Sequence, residues 1–275
     1  MDLNTITEVA RPRQRGELPA WRDGDAWLGG GTWLFSEPQV RLKRLIDVAA
    51  LCWQALRVSP TGLEIAATCT IAQLNAAVLP VEWIAAPLID RCCRSFLASF
   101  KIWNTATVGG NICMSLPAGP MISLTSALDG VCTIWAADGS ERHVPVADFV
   151  TGPQQNVLKP GELLRRIDIP ASALIRRAAF RQISLARIGR SGALLIGTLD
   201  PPTGEFVLTV TASTPRPMKF SFNALPSADD LRARIEREIP GSGYYDDIHG
   251  LPAWRRHMTL YFAQEIRDEL ARTSR

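Results

Sequence analysis

Two glycine-rich stretches are the residues of this chain best suited to chemistry. The first, residues 29–32, reads Gly-Gly-Gly-Thr, and the second, residues 107–111, reads Thr-Val-Gly-Gly-Asn. A diphosphate needs several backbone N–H donors converging at close range. Glycine permits that close approach and the positive φ angles that it takes. The two stretches therefore predict two turns whose amides bind one diphosphate.

Neither stretch matches a standard nucleotide-binding motif. Residues 29–31 lack the Gly-x-Gly-x-x-Gly spacing of the Rossmann fingerprint, and the chain has no Gly-x-x-x-x-Gly-Lys-Ser/Thr loop. We therefore expect neither a Rossmann NAD site nor a P-loop ATPase. Taken alone, each stretch is more often an ordinary turn than a cofactor site, so the flanking sequence decides between the two interpretations.

The composition favours a globular protein of two compact domains. The chain has 275 residues, 47% of them hydrophobic, and a net charge of +3 from 30 basic and 27 acidic residues. That length is near the limit at which single cores stop growing, and the charge balance is too even for a dedicated nucleic-acid binder. Residues 1–18 lack the apolar core of a secretory signal, and no apolar run is long enough for a bilayer. We expect a cytoplasmic protein without membrane insertion.

The cysteines exclude the common metal sites. Six are present, none in a Cys-x-x-Cys pair, and no histidine lies near one in sequence. Zinc and iron–sulfur spacings are therefore absent, and buried free thiols in a reducing compartment are expected. No acid–base pair or nucleophilic triad adjoins either glycine stretch, so no catalytic residue and no metal ligand is predicted.

The elements that must position the glycine stretches follow an α+β pattern. Apolar spacing predicts a helix over 87–100 that ends before Trp103, a helix capped by Thr70 that runs to Val78, and another helix after Pro120. Asp138-Gly139 predicts a hairpin between two strands. Residues 163–170 read as the last strand of a first domain, and 171–175 as a linker. Strand-like or helical segments elsewhere are 27–28, 45–48, 63–67, 178–185, 191–199, 205–212, 228–237 and 253–271.

The flanking sequence resembles a known family. Residues 27–34 resemble its Ala-Gly-Gly-Thr-Asp-Leu loop, and residues 104–112 resemble its second loop. Further matches follow in the family's order, at residues 45–48, 63–74, 148–152, 158–164, 180–184 and 215–217. The family comprises the FAD-binding medium subunits of molybdenum hydroxylases, the group of xanthine dehydrogenase and carbon monoxide dehydrogenase. Each motif is modest, but the ordered set is specific.

The resemblance implies a fold of two parts. Residues 1–172 would form a FAD-binding domain of the vanillyl-alcohol-oxidase or PCMH type, with two α+β lobes. Residues 173–275 would form a small α+β domain like the C-terminal domain of carbon monoxide dehydrogenase flavoproteins, with a three-stranded antiparallel sheet and helices.

The resemblance also implies the cofactor contacts. FAD would lie extended between the lobes, with Leu97 near the isoalloxazine, Leu164 near its pyrimidine end and Arg181 at a basic contact position. A cation near that end would favour reduction of the flavin. The implied contact residues are Trp27, Leu28, Gly29, Gly30, Gly31, Thr32, Trp33, Leu34, Leu97, Thr107, Val108, Gly109, Gly110, Asn111, Leu164 and Arg181.

The implied function is electron transfer within a complex. A partner subunit with two [2Fe-2S] clusters would pass electrons through FAD to a terminal acceptor, after hydroxylation at a large molybdenum-cofactor subunit. A dimer of heterotrimers is expected.

Two alternatives remain open: a FAD-depleted scaffold subunit and a free-standing flavin oxidase. The scaffold is suggested by three departures from the family pattern, Trp33, Trp103 and Pro120, the last of which stands where an Asp usually binds the cofactor.

Overall fold

The first sheet carries the strand that leads into residues 29–32. The structure, a computed structural model, describes residues 3–272. Three parallel strands form this sheet in the order β1-β3-β2: β1 (Glu8–Ala10), β2 (Asp25–Leu28) and β3 (Arg44–Asp47). Asp25 and Arg44 lie opposite each other in register and form a buried ion pair, with Nη2 and Oδ2 2.6 Å apart. This pair holds β2 at its start.

The second sheet is antiparallel and has the order β4-β5-β10-β6-β7. Its strands are β4 (Leu56–Ser59), β5 (Gly62–Ala66), β6 (Val131–Trp135), β7 (Glu141–Pro145) and β10 (Leu163–Pro170). Between β7 and β10, two short strands, β8 (Val150–Gly152) and β9 (Gln155–Asn156), pair with each other. The hairpin predicted at Asp138-Gly139 is confirmed, with Gly139 at a φ of +86°.

Seven helices accompany these sheets within the described chain. They are α1 (Ile71–Asn75), α2 (Pro87–Ser95), α3 (Phe100–Trp103), α4 (Val108–Met114), α5 (Pro120–Ala127), α6 (Val146–Phe149) and α7 (Ala171–Leu174). Thr70 caps α1, as predicted, and the structure adds a capping box with Gln73. The helix ends at Asn75 rather than at the predicted Val78, which is exposed.

Three local predictions in this region are wrong. The helix expected over 87–100 is split into α2 and α3, because the backbone leaves helical geometry at Phe96. The glycine turn expected at 109–110 lies inside the first turn of α4, and the linker expected over 171–175 contains α7. In α4, the weak helix formers Gly109 and Gly110 are held helical by their surroundings, whereas Ala171, Ala173 and Leu174 of α7 are strong helix formers.

The C-terminal sheet is antiparallel and has four strands, not the three that we expected. They run in sequence order: β11 (Arg177–Ile183), β12 (Ala193–Leu199), β13 (Phe206–Thr211) and β14 (Met218–Phe222). The short β14 segment follows directly on Pro217 and gives little sequence signal on its own. Helices α8 (Ala228–Glu238) and α9 (Pro252–Arg272) complete this part. Gly197 lets α9 approach, since a Cβ there would lie 2.3 Å from Ile266.

The C-terminal sheet is packed on both faces. On β12, Leu194 and Ile196 join the large core that also contains α5, whereas Leu195 and Leu199 join a second core with Ile266 and other residues of α8 and α9. This alternation follows from the two-residue period of a strand. The sheet therefore connects the C-terminal helices to the part of the chain that carries the glycine stretches.

Most cysteines are buried, as expected, but Cys52 is exposed. Burial raises the pKa of the thiols of Cys69, Cys93 and Cys113 to about 12 in each case.

Among residues 3–272, no cluster of histidine, cysteine and carboxylate side chains could hold a metal ion. No helix in that range has the length and apolar character that a membrane crossing requires.

Candidate functional site

The two glycine stretches lie against each other. A Cβ on Gly30 would be 1.8 Å from the carbonyl oxygen of Thr105, and one on Gly29 would be 3.3 Å from Oγ1 of Thr107. The predicted convergence of the two stretches is therefore confirmed. Position 30 must be glycine because the two chain segments are in contact there, and any side chain would collide with the backbone of Thr105.

Residues 29–34, called loop one below, present free amide groups. Gly31 has a φ of +69°, and its carbonyl accepts a 2.8 Å hydrogen bond from the N–H of Phe35. This closes a single helical turn. Within the described residues, no protein acceptor is recorded for the N–H groups of Thr32, Trp33 and Leu34 inside that turn. Such orphan amides at the start of a helical turn are suited to an anion.

In residues 107–111, called loop two below, four of the five amide groups already have acceptors among the described residues. The N–H of Val108 donates to Cys69 O at 2.8 Å, that of Gly109 to Ala67 O at 3.0 Å, and that of Asn111 to Thr107 O at 3.0 Å. The N–H of Gly110 donates to Oγ1 of Thr107, the N-cap of α4, at 3.0 Å. Val108, Gly109, Gly110 and Asn111 therefore do not supply the free donors that we expected, and their hydrogen bonds fix loop two beside loop one instead.

A third segment joins the loops at the start of β10. The indole of Trp27 donates to the carbonyl of Glu162 at 2.8 Å, which ties the strand before loop one to this segment. Ala67 bridges to loop two, because its N–H donates to Arg165 O at 3.0 Å while its carbonyl accepts from Gly109. Loop one, loop two and residues 162–165 thus form one connected unit.

Glu162 is the buried acidic group of this unit. Its carboxylate is bound by Arg142, with Nη2 and Oε2 2.6 Å apart, and by the backbone N–H of Lys159 at 2.8 Å. The Arg142 hydrogen bond lowers the pKa of Glu162 against the opposing effect of burial. The carboxylate therefore stays ionised and anchors the segment, with no proton to exchange near neutral pH.

More than half of the chain, including this unit, matches a known protein family. The family model for the "FAD binding domain in molybdopterin dehydrogenase" matches residues 11–172, which include both loops and the third segment. The chain belongs to this family. Its cofactor is therefore FAD, and the resemblance noted from the sequence is confirmed.

Individual relatives agree with the family. Caffeine dehydrogenase subunit beta from Pseudomonas sp. (strain CBB1) is 29% identical over 168 residues, which are 56% of this chain and 55% of that protein. This chain spans about half the length, or less, of the curated relatives it matches.

Two solved structures share the fold. Quinoline 2-oxidoreductase from Pseudomonas putida 86 has a TM-score of 0.79 at 18% identity, over 99% of both chains. Carbon monoxide dehydrogenase from Hydrogenophaga pseudoflava has a TM-score of 0.79 at 18% identity, over 96% of both.

Three further residues implied by the family have different surroundings. Leu164 follows Glu162, but its side chain is 2% exposed and packs in the core. Leu97 is 45% exposed and follows Phe96, whose carbonyl accepts from the indole of Trp103 at 3.0 Å. The guanidinium of Arg181 is bound by Glu265 at 2.7 Å and by Glu269 at 2.8 Å.

Two of the three departures from the family pattern, Trp103 and Pro120, have structural roles. Trp103 packs against the large core and holds the turn at Phe96. Pro120 is buried as the first residue of α5, a position where the missing N–H costs nothing. Beside it, Oδ1 of Asn111 accepts from the N–H of Met121 at 3.1 Å. Loop two thereby caps α5.

Several residues of the site gave no usable signal in the sequence. Thr105 and Ala67 act through backbone atoms, so their side-chain types carry no information about their contacts. Phe35 closes loop one and packs its ring against Gly31, where a Cβ would be 2.6 Å away. Its spacing of four residues from Gly31 is the one feature that could have indicated this turn.

Proposed function

We propose that this chain is the flavin subunit of a molybdenum hydroxylase and that loop one binds the FAD diphosphate. Electrons would pass from [2Fe-2S] clusters on a partner subunit through FAD to a terminal acceptor. The observation that carries this proposal is the group of free amides at Thr32, Trp33 and Leu34 in a chain of this family. When bound, FAD supplies the redox chemistry, and the protein supplies position and electrostatics.

Each part of the site has a separate task in this proposal. The amides of loop one hold the diphosphate, while loop two and the Glu162 segment fix the shape of loop one. Leu97, which is half-exposed, provides apolar surface for the isoalloxazine, and Leu164 offers only its backbone near the pyrimidine end. We assign Arg181 a structural role, because two carboxylates already neutralise its charge.

The proposed domain division follows the same scheme. Residues 1–172 form the two-lobed FAD-binding domain of the vanillyl-alcohol-oxidase or PCMH type, and residues 173–275 form the C-terminal α+β domain. The extent of the family match, residues 11–172, supports this boundary.

The proposed partners are an iron–sulfur subunit and a large molybdenum-cofactor subunit, in a dimer of heterotrimers. Support comes from a relative that is itself named as a subunit, caffeine dehydrogenase subunit beta, and from the fold shared with carbon monoxide dehydrogenase. The proposed division of labour leaves hydroxylation of the substrate to the partner and electron delivery to this chain.

The experiment is a titration of the purified chain with FAD, followed by flavin absorbance and fluorescence. Saturable binding at one FAD per chain supports the proposal, and failure to bind FAD in both the isolated chain and the assembled complex refutes it.

Buried Pro120, in place of the family's Asp, favours a FAD-depleted scaffold as the second candidate. A complex that assembles normally with no flavin would establish that candidate. Direct reduction of the flavin by substrate in the isolated chain would indicate a free-standing oxidase.

A further inference from the structure

A second concave region lies where the end of α5 meets the C-terminal sheet. This cavity has a volume of about 500 Å³ and shares no lining residue with loop one or loop two. Val131, Pro145, Pro217 and Met218 form apolar walls. A cavity of this size that combines apolar walls with charged side chains has room for a small organic molecule.

The polar groups of the cavity are rich in hydrogen-bond donors. Asp129 accepts from Arg176 at 2.7 Å through one oxygen and from Lys219 through the other. Lys219 keeps two further N–H donors. Arg216 also lines the cavity and is exposed, and within residues 3–272 no acceptor is recorded for its guanidinium. These two cations can donate several hydrogen bonds to a bound anion.

Other charged groups limit the charge of that anion. Asp148 also lines the cavity and is exposed, while Glu205 lies 4.0 Å from Arg176 outside the lining. The lining thus has two acidic and two basic side chains, so a dianion would meet repulsion that a monoanion largely avoids. The charge balance therefore favours a single carboxylate over a phosphate dianion.

A buried hydroxyl group supplies an independent indication of a ligand. Ser126 lines the cavity and is 1% exposed, and its Oγ is buried without a hydrogen-bond partner among the described residues. Buried hydroxyl groups are nearly always paired, so a small shift of the cavity wall that opened this Oγ to a polar group of a ligand would satisfy it. Thr209, which lies opposite Lys219 in the sheet register, has a buried Oγ1 in the same condition.

We propose that this cavity binds a small organic monocarboxylate with an apolar body. Lys219 and Arg216 donate to the carboxylate, Val131 and Met218 contact the body, and Ser126 pairs with a polar atom of the ligand or of its hydration shell. Such a site is distinct from the flavin loops, and its existence does not depend on the proposed electron-transfer function.

The test is calorimetric titration of the full chain with benzoate, with benzamide as a neutral compound of the same shape. We expect benzoate to bind and benzamide to bind at least about tenfold more weakly, since charge-assisted hydrogen bonds are the stronger ones. Arg216→Gln and Lys219→Gln should each weaken benzoate binding by about tenfold. Ser126→Ala should weaken it less. Inorganic phosphate should bind more weakly than benzoate.

The matched control is Arg91→Gln, which removes an exposed arginine of α2 that forms no recorded ion pair within the described chain. This variant should bind benzoate as the wild type does. Circular dichroism of each variant checks that it is folded. No benzoate binding up to about 10 mM would overturn the proposal. So would equal binding of benzamide, or equal effects of Arg216→Gln and Arg91→Gln.

Discussion

The backbone of Thr105 lies directly against Gly30, so that a Cβ at position 30 would come within 1.8 Å of the Thr105 carbonyl oxygen. Gly30→Ala must therefore push loop one away from Thr105, in the segment that leads into loop two. Overpacking of this kind costs about 1–3 kcal/mol. We expect FAD affinity to fall at least about tenfold, measured by fluorescence titration and by the flavin content of the purified protein.

The matched control for this change is Gly241→Ala. Position 241 has no heavy atom within 4 Å of the added Cβ and is not held at a positive φ. FAD affinity should be unchanged in this variant. If Gly30→Ala also retains wild-type affinity, contact between the loops does not shape the site.

A second prediction concerns the buried ion pair between Asp25, at the start of β2, and Arg44. Asp25→Asn leaves the Arg44 guanidinium, whose side chain is 7% exposed, without its main charge partner. Breaking a buried pair by removing one partner costs about 3–5 kcal/mol. We expect a lower free energy of unfolding in urea, whereas Asp23→Asn, at an exposed position two residues away, should change it little.

The same pair predicts a pH dependence. Burial alone would raise the pKa of Asp25, but hydrogen bonds from Arg44 and from the backbone of Arg22 outweigh it and lower that pKa below the usual 3.8. A lowered pKa stabilises the fold above 3.8, and this contribution is lost as the pH falls through the folded-state pKa. The stability difference between the wild type and Asp25→Asn should be constant from neutral pH to about pH 5 and shrink below 3.8. A difference that grows on acidification would contradict this assignment.

A third prediction concerns Arg255 in the C-terminal part. Its side chain is 1% exposed and donates to Gly250 O at 2.9 Å and Gly192 O at 2.7 Å, and also to Ala212 O and Asp247. Arg255→Met leaves these acceptors unpaired, and we expect a loss of about 3 kcal/mol or more in the free energy of unfolding. Thermal and urea unfolding would measure it.

Arg256 provides the comparison, because it is the next residue on α9 and its side chain is 46% exposed, with one partner, Glu236. Arg256→Met should cost less than about 1 kcal/mol, as exposed ion pairs generally do. Equal losses in the two variants would show that burial of Arg255 is not the cause.

A fourth prediction separates two roles for Arg181. If its ion pairs with Glu265 and Glu269 are its whole role, Arg181→Gln costs about 0.5–1 kcal/mol of stability, since all three side chains are partly exposed. The flavin spectrum and reduction potential should be unchanged. A shift of the potential in this variant would instead place the guanidinium at the flavin.

Much of the fold could be predicted from local sequence. Asp138-Gly139 specified a hairpin, Thr70 specified a helix start, and the apolar runs on β12 and β13 specified buried strands. Each of these signals lies within a few residues of the element it describes. The break at Phe96 depends on the indole of Trp103, and β14 depends on pairing with β13, so neither could be found locally.

The sequence predicted where the candidate site lies, but not which of its amide groups are free to bind a ligand. The glycine stretches indicated where the chain segments converge, and that convergence is confirmed by Gly30 and Thr105. Which amides remain free could not be predicted, because loop two donates to Ala67 and Cys69, about forty residues earlier in the chain. Long-range hydrogen bonds between backbone groups do not depend on the types of the side chains, so the sequence does not indicate them.

The unequal exposure of the cysteines makes the chain suitable for site-specific labelling without mutagenesis. Cys52 is exposed, whereas Cys113 is half-buried and the other four cysteines are buried. Cys52 lies just after β3, the central strand of the sheet that carries loop one. Burial keeps the thiols of Cys69, Cys93 and Cys113 protonated, with pKa values of about 12, and thiols in that form react slowly with maleimides. A dye on Cys52 would therefore report flavin binding through energy transfer in the native sequence.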